Sequence, residues 1–98
     1  MFIVSHTYRV PLERIDAAHE EHVAFLERHY EAGHFLASGR KVPRTGGVIL
    51  ADGLDRDALE RVLAEDPFHR EGFADYEVTE FNPTMARDDI GKALGIAG

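Results

Sequence analysis

Cysteine and tryptophan are absent from this chain of 98 residues, and methionine occurs only twice. The lack of cysteine excludes disulfides, thiolate nucleophiles and every Cys-ligated zinc or iron–sulfur centre. Basic residues are also short: 11 Lys and Arg stand against 18 Asp and Glu, for a formal net charge of −7. These cations are scattered instead of forming a stripe, so a phosphate backbone would be repelled and no nucleic-acid binding is expected. No apolar run approaches the roughly 20 residues of a membrane-spanning helix, so no membrane partner is expected. The opening MFIVSHTYRV lacks the basic region, longer apolar core and cleavage site of a signal peptide, which makes cytoplasmic the expected location. Neither of the nucleotide-binding glycine motifs, GxGxxG or GxxxxGK(S/T), occurs, and no cofactor is expected.

What is present is an ordinary globular composition, with 44% hydrophobic and 30% charged residues. A single domain of this size buries about 60 to 70% of its unfolded surface, so a partner subunit would help it.

Residues 2–9, rich in β-branched and aromatic types and closed by Pro11, predict a first strand with Val4, His6 and Tyr8 on one face. From Leu12 to about Ala32 there is no Pro or Gly, and apolar residues recur at helical spacing, predicting one long amphipathic helix stopped by Gly33. Residues 34–39 predict a short strand, 40–46 a mobile basic connection and 47–52 another strand. Asp55 predicts an N-cap for a helix over about 56–64 with Leu59, Val62 and Leu63 buried; Asp66-Pro67 predicts a further helical turn. Residues 74–81 predict the last strand, with Tyr76 and Val78 on one face and Phe81 out of phase.

The order β-α-β-β-α-β is the split βαβ of an α+β, ferredoxin-like fold: a four-stranded antiparallel sheet with helices on one face. Its open face predicts a homodimer. The domain is expected over residues 1–83, with 84–98 a frayed tail or an arm that docks on a neighbour.

Three of the six histidines fall in HEEHVAFLERH, residues 19–29. With His19 set to zero at about 100° per residue, Leu12 and Tyr30 lie at about +20°, Val23 at about +40°, Leu26 at about −20° and Ile15 at about −40°. His19 is then expected inside the apolar stripe, His22 at about −60° on its border, and His29 at about −80° as solvated surface. The glutamates of HEEH point away from its histidines. The His spacing of three, unlike the four of HExxH, and the need for a third ligand from His6, His69 or Asp66 argue against a metal. Asp66 reads first as a helix cap, and a carboxylate held rigid in that way can also orient an imidazole.

HxxHVxxLxxxxxxGHFLASG over residues 19–39, GGVILAD over 46–52, EDPFHREG over 65–72 and YEVTEFNP over 76–83 together resemble the YCII-related proteins. The resemblance implies a dimeric α/β barrel similar to muconolactone isomerase. It also implies a candidate site in which the helix histidine is His22 and the carboxylate of the DP motif is Asp66. His19 stands where many members have a basic residue; Ser38 and Gly39 match, and Arg40 replaces a frequent proline. The few known activities of such proteins include chloride removal from a chlorinated hydroxyquinone-type aromatic.

The expected function is therefore a metal-independent small-molecule lyase or isomerase. His22 would be the general acid and base, and Asp66 would fix its tautomer and stabilise its protonated form. Ser38, His6, Tyr8 and His19 are the expected substrate-binding donors. The other reading is a non-catalytic dimeric module that binds a small ligand or a partner in the same cleft.

Overall fold

Alternation along FIVSHTY sends Phe2, Val4 and His6 to the covered side of the sheet and leaves Ile3 and Thr7 on the open side. This strand, β1 (Phe2–Tyr8), is central in a computed structural model that describes residues 1–96. The other strands are β2 (Phe35–Arg40), β3 (Gly46–Ala51) and β4 (Ala74–Glu80). The order is β2-β3-β1-β4 with every neighbouring pair antiparallel, and helices cover one face in the ferredoxin-like manner. A bulge between Phe35 and Ala37 returns Ser38 and Arg40 to the covered side, opposite Ile49 and Gly47. β4 ends before Phe81, one residue short of the expected strand, and its ladder with β1 is regular throughout.

The long helix predicted over 12–32 is two helices. α1 (Leu12–Ala17) and α2 (His19–Glu31) meet at Ala18, whose φ of −97° and ψ of 3° interrupt the helix. The two halves serve different cores. Ile15 packs in a cluster with Phe68 and Ala74, whereas Phe25 belongs to the main core with Phe2, Val4, Phe35, Ile49, Leu59 and Leu63. The break lets each half aim its own apolar residue.

α2 is also turned relative to expectation. Phe25, at about −120° on the same wheel, is wholly buried. His29 is buried too, at 7% exposure, so it is not the solvated residue expected. Leu12 and Tyr30, expected in the stripe, are exposed, and so is His19. Phe25 has no polar atom to bury, whereas Tyr30 keeps its hydroxyl at the surface, so the helix turns its wholly apolar ring inward.

Asp55 accepts from the Ala58 N–H at 2.8 Å and caps α3 (Arg56–Leu63), which buries Leu59, Val62 and Leu63 as predicted. Asp66 caps the short α4 (Pro67–Arg70), with proline at its first position. The 40–46 connection is tied down by Lys41 to Thr7 and by Arg44 to Asp16. Beyond the sheet, α5 (Asp88–Leu94) lies in the tail, where Met85 and Ile90 are exposed. Among the described residues no helix is long and apolar enough to cross a membrane.

Candidate functional site

Where β1, α2 and α4 meet, one carboxylate collects three donors. Asp66 is fully buried; its Oδ1 accepts from the Phe68 N–H at 3.1 Å and its Oδ2 from the Tyr76 hydroxyl at 2.6 Å. The His22 ring adds Nδ1, 2.9 Å from Oδ1. A carboxylate already receiving two hydrogen bonds accepts a third, so His22 carries its proton on Nδ1 and, when neutral, presents a lone pair at Nε2. Residues forty-four positions apart in sequence are thus in direct contact.

The supports follow from local chemistry. The cap geometry of Asp66-Pro67 fixes the carboxylate and aims Phe68, whose ring stacks on the His22 imidazole at 4.1 Å and 13°. Strand register places Tyr76 opposite His6 on the covered face. Burial, reinforced by the adjacent Asp66 carboxylate, pushes the Tyr76 hydroxyl well above its ordinary value and keeps it a donor.

His22, which retains 12% side-chain exposure, opens into a cleft of about 120 Å³. His6, Tyr8, His19 and Ser38, the expected binding residues, all line it, while Asp66 sits behind His22 and does not. His19 is at the exposed rim instead of within an apolar stripe. Ser38 shares a 2.6 Å hydrogen bond with Tyr30. His6 is 3% exposed, and its pKa falls to about 4; burial is the main cause, the Asp66 charge opposes it, and His22 and Lys41 add to it. Of the histidines that line the cleft, His22 is bound to a carboxylate and His6 is kept neutral by burial.

Sequence reasoning missed four contributors. Tyr76 was legible only as a strand face, and Phe68 only as part of DPF. Arg40 and Arg44 also line the cleft, Arg44 with its guanidinium 2.5 Å from Asp16. Nothing in their spacing signals a shared wall, because β2 and the following connection reach it through sheet pairing.

A second group of titratable side chains lies at the C-terminal end of α2. His29 Nε2 is 3.1 Å from Glu65 and its Nδ1 is 3.1 Å from Nδ1 of His34. Glu65 is held below the usual carboxylate range, chiefly by its hydrogen bond with His29. Among the described residues, no group of three or more His, Asp or Glu side chains is placed to hold a metal ion.

A family model, the YCII-related domain, matches residues 1–82. Among solved structures, the chain is similar to the 5-chloro-2-hydroxyhydroquinone dehydrochlorinase of Burkholderia phenoliruptrix, determined in complex with 2,5-dihydroxybenzoquinone. The TM-score is 0.66 at 19% identity, over 84% of this chain and 94% of that one. No curated protein matches it.

Proposed function

The chain belongs to the YCII-related family, and from that premise we propose that it is a metal-independent lyase or isomerase for small, oxygen-bearing cyclic molecules. The observation that carries the reading is the 2.9 Å contact between His22 Nδ1 and a fully buried Asp66, on a histidine that itself lines the cleft. A carboxylate in this position fixes the tautomer that makes Nε2 the base and stabilises the imidazolium formed when it takes a proton. In the lyase form, His22 Nε2 removes a proton from a carbon or hydroxyl of the substrate. The electron pair left behind moves through the conjugated frame, and an anion such as chloride departs with its own bonding pair. The sum is loss of HX, with no oxidant or reductant required. The imidazolium then returns its proton to water.

The small cleft volume suits a one-ring substrate, and the His22–Phe68 stack offers an aromatic wall for it. The similar fold of the dehydrochlorinase makes halogenated hydroquinones the first compounds to try, followed by unsaturated lactones.

The working unit is a homodimer. The open sheet face carries exposed Ile3 together with half-buried Val48 and Leu50, an apolar surface that a second copy would cover. Residues 84–96, with Met85 and Ile90 exposed, form an arm suited to the neighbouring subunit.

The test is incubation of the purified protein with that panel, following chloride release or product absorbance together with ligand binding. Turnover supports the lyase or isomerase reading. Tight binding with no turnover assigns the cleft to a non-catalytic ligand-binding module.

A further inference from the structure

Gly47 carries no backbone signal that demands glycine, since it is not among the residues of positive φ. Its requirement comes from a side chain. It pairs with His6 across β1 and β3, and a Cβ at Gly47 would lie 2.8 Å from His6 Cε1 and 2.9 Å from His6 Nε2. The imidazole therefore leans across the glycine with its Cε1–Nε2 edge, and both residues line the cleft. The adjacent Gly46 is needed as well, for close backbone approach: a Cβ there would overlap the His6 carbonyl oxygen. Two consecutive glycines thus seat one histidine.

The two nitrogens of that ring are not equivalent. Nδ1 is sealed from solvent and has no partner among the described residues, whereas Nε2 is not sealed in this way. Placing the proton on Nδ1 would leave a buried N–H with no acceptor. Placing it on Nε2 leaves only a lone pair sealed and puts the donor where a ligand can meet it. The surrounding rings of Tyr8, His22, Phe68 and Tyr76 hold the imidazole in place.

We infer that His6 is the fixed hydrogen-bond donor of the cleft, its Nε2–H held over Gly47 to receive a carbonyl or phenolic oxygen of the substrate. The inference rests on the acid/base reading of His22 and names what that reading requires of the substrate: an oxygen conjugated to the position that loses the proton. As His22 takes the proton, the electron pair moves toward the oxygen facing His6, while the His6 proton stays on Nε2. A neutral imidazole suits this task because it polarises the oxygen without surrendering its proton. Its low pKa of about 4 keeps it neutral at working pH.

The test is long-range proton–nitrogen NMR of the histidines in the full-length protein, alone and with 4-nitrophenolate as an oxygen-anion probe. The expected result is a neutral, Nε2-protonated His6 from pH 8 to about 5, with the probe shifting both His6 Nε2 and His22. In Gly47→Ala the displaced ring should lose the His6 response. An Nδ1-protonated His6, or a probe that shifts His22 alone, would overturn the assignment of His6 and leave the acid/base reading standing. A probe that disturbs neither ring would remove both. With a turned-over substrate, His6→Phe should lower kcat by about 10²-fold with little change in KM, and His6→Gln, which retains an N–H, should recover part of that loss. Equal kcat in wild type and His6→Phe would also overturn it.

Discussion

Helix α2 makes a histidine–carboxylate contact near each of its ends, and the two differ in what remains after protein partners are assigned. At His22, Asp66 occupies Nδ1, the other ring nitrogen has no hydrogen-bond partner among the described residues, and the residue lines the cleft. At His29, Glu65 occupies Nε2 and His34 occupies Nδ1, so neither nitrogen is left for a ligand. The carboxylates differ in parallel. Asp66 has no exposure and gathers three donors, whereas the Glu65 side chain is 47% exposed and shares one oxygen between His29 and Arg28. A histidine beside a carboxylate is thus a structural unit in both places. It becomes a candidate for chemistry only where one nitrogen stays unpartnered and faces a space.

Removing each carboxylate should separate the two regions most sharply. Asp66→Ala leaves the His22 Nδ1–H, the Tyr76 hydroxyl and the Phe68 N–H without their acceptor, and a stability loss of about 3 to 5 kcal/mol is expected in urea unfolding. Glu65→Ala, at a half-exposed pair, should cost about 1 kcal/mol or less. Similar losses for the two variants would mean that the two carboxylates support the fold alike.

Acidification provides the next largest effect. The folded state holds His6 neutral down to about pH 4, while the unfolded chain takes up that proton below its ordinary value of 6.5. Its contribution is therefore intact above pH 6.5 and is lost as pH falls toward 4, by an amount on the order of 3 kcal/mol. Unfolding followed across this window should show the slope in wild type and a much flatter one in His6→Phe. A smaller change is expected for Tyr76→Phe, about 1 kcal/mol, because Asp66 keeps two of its three donors. An unchanged midpoint would mean that the tyrosine hydroxyl does not support the carboxylate.

Period-two alternation placed β1 and β4, and the side-chain chemistry of Asp55 and Asp66 placed the starts of α3 and α4, because strand faces and caps are encoded locally. The break at Ala18 was not legible, since no Gly or Pro marks it; it arises because Ile15 and Phe25 serve separate cores. The exchange of roles between His19 and His29 has a related origin. A helical wheel orders residues around the axis, but the side that faces the sheet is decided by Phe35 packing with Phe25 and His29. Helix geometry alone set His22 on a border, and its contact with Asp66 lay beyond any local pattern; the family resemblance linked the two. Gly47 and His6 meet only through strand register, so their relation could not be read from either neighbourhood.

On the proposed mechanism only His22, of the two α2 histidines that contact a carboxylate, acts on substrate, and kcat/KM of His22→Ala and His29→Ala on a substrate identified from the halogenated hydroquinone or lactone panel separates them. A loss of about 10² to 10⁴-fold is expected for His22→Ala, with a value close to wild type for a folded His29→Ala. Unchanged turnover in His22→Ala, or an equal loss in both variants, would contradict it.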